Sequence, residues 1–172
     1  MTEKWNAYLK DGTCTAMALY RDQPIPPGYY HLVVEAIVQH DDQSLLFMKR
    51  DNAKASYPHY WECSAGGSAL FGENAEQAIR RETLEETGLV LYDLRHYQTF
   101  VNEPHQCYFE CFVAKTSDDK SQVRLQKGET EAFEWVSLAD LANFLDNALV
   151  IPRHKEVLQT LFLTHKKSFV PS

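Results

Sequence analysis

The segment from Asn74 to Gly88 constrains the fold most narrowly, because it predicts one helix with a defined start, a defined end and one packed face. Asn74 is a favourable N-cap, and Gln77 three residues later completes the pattern of a capping box. Gly88 suits the left-handed conformation that commonly ends a helix. The first half carries an apolar stripe at helical spacing, formed by Ala75, Ala78 and Ile79. We therefore expect a helix that packs one face against a core.

The second half of the same helix face is acidic. Glu82 and Glu86 continue the apolar stripe and Glu85 lies beside it, although like charges at this spacing destabilise an isolated helix. Partly buried carboxylates need compensating positive charge. Spacing alone leaves two interpretations open. The helix is either an exposed one with Arg–Glu pairs, or part of a site for a hard divalent cation such as Mg2+ or Mn2+, with Glu73 nearby.

Three glycines precede this helix. Gly66, Gly67 and Gly72 permit a tight loop and a close approach of backbone to a ligand just before a helix start. A glycine-rich loop is weak support when taken alone. Together with the downstream acids, it favours the metal interpretation.

The rest of the chain predicts a mixed sheet with helices, an α/β or α+β layered sandwich. "WNAYLK" and "CTAMALYR" flank Asp11-Gly12 and predict an N-terminal β-hairpin, which the Pro-rich connector "RDQPIPPG" follows. "YYHLVVEAIVQ" is almost continuously apolar, as in a strand buried on both faces. Further strands are predicted at "SLLFMKR", "RHYQTFVNE", "HQCYFECFVAK" and "AFEWVSL".

Two helices are predicted near the C-terminus. Ser137 is a candidate N-cap for a helix over "LADLANFLDNAL". Pro152 suits the first turn of a last helix over "PRHKEVLQTLFLTHKK".

Composition narrows the functional classes. The net charge of −7 over 172 residues argues against nucleic-acid or anionic-membrane partners, since both need clustered Lys and Arg. No apolar run has the length of a membrane span and no secretory signal opens the sequence, so we expect a cytoplasmic protein. The four cysteines show no metal-binding spacing, which predicts buried thiols in a reducing compartment.

The ordered set of glycines and acids resembles the Nudix box, the signature of the Nudix hydrolase superfamily. Gly67 is followed by five residues, Glu73, seven residues and then "RETLEETGL" from Arg81 to Leu89. The one departure is Thr83, where the family usually has a bulkier aliphatic residue. The resemblance extends from about Trp5 to Leu145, and the hairpin is similar to that of members akin to isopentenyl diphosphate isomerase. It implies an α/β/α sandwich with a mixed sheet plus an N-terminal hairpin.

The resemblance also implies roles for individual residues. Glu82, Glu85 and Glu86 would bind Mg2+ or Mn2+, with the backbone of Gly67 close to the metal or to a phosphate. Glu82 or another carboxylate would act as general base. Arg81 would orient a glutamate. The remaining implied roles are structural support from Glu73, helix termination by Gly88 and, for Glu129, an auxiliary base or ligand as an alternative to an exposed loop acid.

The implied reaction is metal-dependent hydrolysis of a diphosphate linkage in a nucleoside diphosphate joined to another group. The partner would be a small nucleotide-derived molecule, with the protein a monomer or homodimer. Residues 1–28 would form the hairpin and connector, and residues 29–172 the Nudix domain. Lys49 and Arg50 are candidates for phosphate contacts or for solvated strand ends. Tyr57 and Trp61 are candidates for stacking on a base or for packing.

Two alternatives are weighed against hydrolysis. An isomerase of the isopentenyl diphosphate type is suggested by His31, but Gly66 and Ser68 stand where that branch has its cysteine and histidine. A non-catalytic ligand sensor is the second alternative, and such a protein would be expected to lose box carboxylates. None is lost in this sequence.

Overall fold

The computed structural model describes residues 1–164 and contains nine strands and three α-helices within them. The helices are α1 (Ala75–Thr87), α2 (Leu141–Asn147) and α3 (Pro152–Leu158). The strands are β1 (Lys4–Tyr8), β2 (Cys14–Tyr20), β3 (Tyr30–His40), β4 (Leu45–Arg50), β5 (Trp61–Glu62), β6 (Ala65–Ser68), β7 (Asp93–Asn102), β8 (Cys107–Thr116) and β9 (Thr130–Val136). Every strand predicted from the sequence is present.

The sheet is built around β3. This strand pairs in parallel with β8 along its whole length, and antiparallel with β1, β4 and β6. The path β2-β1-β3-β4-β5 forms one edge-to-edge series, while β7 pairs with β8 and β9 with β4. The sheet is therefore mixed, as predicted.

Alternating side chains of the sheet pack into two separate hydrophobic cores. On β4, Leu46 and Met48 pack with Ile79 of α1, while Leu45 and Phe47 pack on the other side with α2 and α3. On β3, Val34 and Val38 face the α1 side, and Ile37 faces the α2–α3 side. Burial of both faces of β3 confirms the prediction from its continuous apolar run. The result is an α/β/α sandwich.

Helix α1 begins and ends where the sequence predicts. The Asn74 side chain accepts from the Gln77 N–H at 2.9 Å and the Gln77 side chain accepts from the Asn74 N–H at 3.0 Å, a complete capping box. Gly88 has a φ of 77° and its N–H donates to the Leu84 carbonyl. Thr83 is fully buried, which confirms that the departure from the family pattern lies in the packing under the helix.

The N-terminal hairpin is joined to the layer that carries α1. β1 pairs with β2 and with the start of β3, and Trp5, Ala7 and Leu19 form a small third core. The Phe71 N–H donates to the Lys4 carbonyl at 2.8 Å, and the Gly72 N–H donates to the Asn6 side chain at 2.7 Å. The hairpin thus holds the loop that leads into α1.

Two expectations near the C-terminus are corrected. Ser137 is not the N-cap of α2, because its hydroxyl accepts from the Asp140 N–H at 3.1 Å in a turn, and the helix starts at Leu141. The last helix changes from α3 to a π-helical turn at Gln159–Leu163. The end of the predicted helix, residues 165–167, lies outside the described residues.

The cysteines and the helix lengths bear on two further expectations. Cys63, Cys107 and Cys111 are buried free thiols as predicted, but Cys14 is exposed because it opens β2 at the hairpin edge. No helix within residues 1–164 is both long and apolar enough to cross a membrane.

Candidate active site

Strand β6 brings two glycines against the acidic face of α1. A Cβ atom on Gly67 would lie 2.6 Å from the carboxylate carbon of Glu82. A Cβ atom on Gly66 would lie 2.0 Å from the carbonyl oxygen of Val34 on β3. Both distances are far shorter than real contacts, so the close approach of α1, β6 and β3 depends on the absence of side chains at these positions.

Arg81 uses all five guanidinium donors within this layer. It contacts both oxygens of Glu73 at 2.7 and 2.9 Å and the Ser68 carbonyl at 3.1 Å. Its remaining donors go to Glu82 at 2.8 Å and to Glu85 at 3.2 Å. The pKa of Glu73 is lowered by its hydrogen bonds from Arg81, whereas burial raises the pKa of Glu82. Arg81 therefore ties the loop, Glu82 and Glu85 together.

Glu86 lies outside the Arg81 network. Its carboxylate accepts from the Gly66 N–H at 3.0 Å, and it forms no ion pair within residues 1–164. Burial raises the pKa of Glu86 to about 8, and the nearby charges of Glu82, Glu62 and Glu129 add to the effect. Glu86 is therefore a partly buried carboxylate without a cation partner in the described part of the chain.

Two cavities border the β6 glycines. The loop cavity has a volume of about 310 Å3 and is lined by residues that include Arg50, Lys54, Glu62, Glu86 and Glu129. The hairpin cavity has a volume of about 650 Å3 and lies between the N-terminal hairpin and α1. Gly66, Gly67 and Glu86 line both cavities. Both volumes fall in the range of small-molecule sites.

All four predicted metal-site residues line one cavity. Glu82, Glu85, Glu86 and Gly67 border the hairpin cavity together. They are not gathered into a finished metal centre, since residues 1–164 contain no group of three His, Cys, Asp or Glu side chains placed to hold an ion. The donor set still suits Mg2+ or Mn2+, which take carboxylate oxygens and complete their coordination with water and substrate phosphate. Glu86, which has no cation partner within residues 1–164, fits the same ion.

The predicted substrate residues separate into a first group that lines a cavity and a second group that lines neither cavity. Arg50 lines the loop cavity, where it donates to Glu62 at 3.0 Å. Lys49 instead pairs with Glu131 at 3.0 Å. Tyr57 packs edge-on against Tyr60 with ring centroids 5.2 Å apart.

Trp61 belongs to the second group. It packs edge-on against Phe144 at 5.8 Å between centroids, beside the second core. Lys49, Tyr57 and Trp61 line neither cavity.

Glu129 and Glu62 face the same space from different elements. Glu129 precedes β9, forms an ion pair with Lys54 and lines the loop cavity as an auxiliary acid would. Glu62 on β5 is a cavity residue that the sequence interpretation missed. Its pKa is raised by burial despite the pairing with Arg50. Its only sequence signal is its position four residues before the glycine pair.

A mixed sheet between two helical layers, with a carboxylate-bearing helix held against a glycine strand, defines an α/β/α sandwich protein with an acidic site. The model of the NUDIX domain family matches residues 29–161, so the chain belongs to the Nudix family. A relative in Listeria monocytogenes, named an uncharacterized Nudix hydrolase, is 30% identical over 151 residues that cover 87% of this chain and 89% of the relative. The chain is accordingly a Nudix hydrolase.

Solved structures agree with this fold. A Deinococcus radiodurans protein, DR0079, has a TM-score of 0.67 at 19% identity and covers 93% of this chain and 99% of its own. The NUDIX domain of Shewanella oneidensis NrtR, solved in complex with ADP-ribose, has a TM-score of 0.58 at 19% identity. That match covers 76% of this chain and 84% of the NrtR chain.

Proposed function

We propose that this Nudix hydrolase cleaves the diphosphate linkage of a nucleoside diphosphate joined to another group, with Mg2+ or Mn2+ at the acidic face of α1. The observation that carries the proposal is Glu86, a partly buried carboxylate that borders both cavities and has no cation partner within residues 1–164. Ionising a partly buried carboxyl group that has no cation partner is costly in a folded protein. The position of Glu86 in the lining of two cavities is explained by a cation that arrives with the substrate.

Different residues of the chain have different roles in the proposed reaction. Glu82, Glu85 and Glu86 would hold the ion, and Arg81 keeps Glu82 and Glu85 in place through its hydrogen bonds. When bound, the ion would neutralise phosphate oxygens and lower the pKa of water. Gly67 lets the backbone of β6 lie directly against the Glu82 carboxylate, because any side chain there would meet Glu82.

The loop cavity supplies groups for the phosphates and for the attacking water. Arg50 and Lys54 line it and provide the positive charge that developing phosphate charge requires. We assign Glu129 as the general base that accepts the proton of the attacking water, because its carboxylate lines the same cavity as Glu86. A positioned carboxylate in that role contributes about 10²- to 10⁴-fold to the rate.

Hydrolysis is favoured over isomerisation by the geometry of β6. The isomerase branch needs a cysteine at the position of Gly66, but a Cβ atom there would lie 2.0 Å from the Val34 carbonyl oxygen. The buried Cys63 does not replace it, because burial raises its thiol pKa far above the ordinary value. Isotope exchange into isopentenyl diphosphate is the measurement that would reverse this choice.

The first test is a hydrolysis screen with Mg2+ and with Mn2+, each repeated in EDTA, in which the nucleotide products are separated and quantified by ion-exchange chromatography. The panel contains ADP-ribose, nucleotide sugars, dinucleoside polyphosphates and nucleoside triphosphates. ADP-ribose is the first compound because the NrtR domain binds it. We expect metal-dependent hydrolysis of at least one compound. Activity that survives EDTA, or none across the panel, contradicts the proposal, and binding without turnover favours the sensor alternative.

A further inference from the structure

The N-terminal hairpin supplies one wall of the hairpin cavity. Glu3 and Trp5 come from the β1 region, and Arg21 directly follows β2. The opposite wall is the acidic face of α1, and the floor includes the glycines and Glu86 that this cavity shares with the loop cavity. A diphosphate seated over Gly66 and Gly67 would therefore have one end in each cavity.

Glu3 organises the hairpin side of this cavity. Its carboxylate accepts from the Trp5 indole N–H at 2.7 Å and from Arg21 Nη1 at 2.9 Å. The Arg21 backbone N–H donates to the Glu3 carbonyl at 3.1 Å. Trp5 stacks on His31 of β3, with ring centroids 4.2 Å apart and an interplanar angle of 15°. Arg21 is thus fixed to the fold through both its backbone and its side chain.

The two arginines of the hairpin cavity differ in their free donors. Arg81 has none left, because five hydrogen bonds occupy its guanidinium. Arg21 uses only Nη1, on Glu3, among the contacts formed within residues 1–164, and its side chain is 70% exposed. Its Nε and Nη2 donors form the edge that a phosphate group can accept from in a bidentate manner.

We propose that Arg21 binds a phosphate on the far group of the substrate, the group on the hairpin side of the cleaved diphosphate. The inference rests on the proposed function and makes the hairpin a specificity element of that site. The other charged residues of this cavity are carboxylates or the saturated Arg81, so Arg21 is the one cation there, among the described residues, with donors to offer. Substrates with a phosphate in the far group are then preferred to those with a neutral sugar.

The kinetic test compares two substrates with the same nucleoside, ATP and ADP-glucose, in wild type, Arg21→Gln and Arg95→Gln. Arg95 is the matched control, since it is 74% exposed, pairs with Asp93 on β7 and lines neither cavity. We expect Arg21→Gln to raise KM for ATP about tenfold or more, the loss of a charge-assisted hydrogen bond, with kcat within about twofold. KM for ADP-glucose should change little. Equal effects on both substrates, or none, overturn the inference.

A binding test separates this inference from the proposed function. Inorganic triphosphate with Mg2+ is titrated into wild type, Arg21→Gln and Arg95→Gln by calorimetry, which needs no turnover. We expect about tenfold weaker binding for Arg21→Gln alone. If the proteins hydrolyse nothing but Arg21→Gln still weakens triphosphate binding, the proposed reaction fails and the Arg21 site stands. Equal affinity in all three proteins, or no binding by wild type, overturns the Arg21 site.

Discussion

Two acidic side chains near the centre of the sheet have opposite environments. Glu35 on β3 is only 16% exposed and is held by Arg153 of α3, with Arg153 Nη2 2.6 Å from Glu35 Oε2. Glu86 on α1 is also partly buried, but among the described residues it receives only the Gly66 N–H. Burial of a charge is tolerated in the first case by a partner within the chain. In the second case the partner is missing, which marks Glu86 as a site for something that binds.

The contrast also explains the roles of the two helices. Arg153 extends over the rings of Phe100 and Phe109, at 5.3 and 6.0 Å from their centroids, and so ties α3 to β7 and β8. α1 instead directs its acidic face toward open space on both sides of β6. One charged cluster holds the molecule together, and the other remains available to a ligand.

The largest effect is expected from removing the unpaired charge. Glu86→Gln should lower kcat about 1,000-fold or more, because a residue that holds the ion supplies several kcal/mol of transition-state stabilisation. The fold should survive, since Gln still accepts from the Gly66 N–H. Steady-state kinetics with Mg2+ measure this, with Glu134→Gln, an exposed acid on β9, as the matched control. Near wild-type turnover of Glu86→Gln would remove the distinction drawn between Glu86 and Glu35.

The paired region should respond in stability. Arg153→Met keeps most of the aliphatic volume but leaves Glu35 without its cation, so we expect the free energy of unfolding to fall by about 2 to 3 kcal/mol. Urea denaturation measures it. In the double variant with Glu35→Gln, part of the loss should be recovered because no uncompensated charge remains. An unchanged unfolding free energy in Arg153→Met would mean that the pair contributes nothing.

Glu86 should also affect how the free energy of unfolding depends on pH. The pKa of Glu86 is about 8 in the folded protein and near 4.5 in the unfolded chain, so the unfolded state binds fewer protons between these values. The contribution of Glu86 to stability is therefore complete below about pH 4.5 and is lost as pH rises through about 8, with a slope of at most about 1.4 kcal/mol per pH unit.

Denaturation in EDTA across this pH range measures the slope. Glu86→Gln should lose it, whereas Glu134→Gln should keep it. Mg2+ should oppose the loss of wild-type stability at high pH, because the ion favours the ionised carboxylate. A slope that is the same in wild type and Glu86→Gln would show that Glu86 ionises normally in the folded protein.

The parts of this arrangement that sequence could predict are those set by local spacing. The caps of α1 and the alignment of Glu82 with Glu86 depend on residues a few positions apart, and α1 was predicted to the residue at both ends. The cavity residue that was missed, Glu62, reaches the loop cavity only through the pairing of β5 with β4. The Arg153 partner of Glu35 lies 118 residues away. Ser137 was misassigned because its turn and an N-cap have the same local pattern.

Arg21 and Trp5 were missed for a related reason. The hairpin was predicted from its turn, but sequence spacing cannot show which wall of which cavity it forms. That placement depends on the pairing of β1 with β3 and on the contacts of Lys4 and Asn6 with the loop before α1. Long-range pairing therefore decides the neighbours of the site, and local spacing decides its helix.

The smallest expected effect concerns two uncharged hydroxyl groups that lie one turn apart on the buried face of α1. One has hydrogen-bond partners and the other does not. Thr83 and Thr87 are both fully buried. The Thr87 hydroxyl donates to the Thr83 carbonyl at 2.7 Å and accepts from the Leu89 N–H, whereas the Thr83 hydroxyl has no partner within residues 1–164. Thr83→Val should therefore stabilise the protein by about 1 kcal/mol, because it removes an unsatisfied buried hydroxyl without changing volume.

Thr87→Val is the matched control and should destabilise the protein by about 1 kcal/mol, because it leaves the Leu89 N–H without its acceptor. Urea denaturation of both variants in EDTA separates packing from metal binding. Effects of the same sign would show that volume or β-branching at these positions decides their stability. Opposite signs would show that a buried polar group costs stability when its partner is missing. The same argument assigns ligand binding to Glu86, which has no cation partner among the described residues, and not to Glu35, which pairs with Arg153.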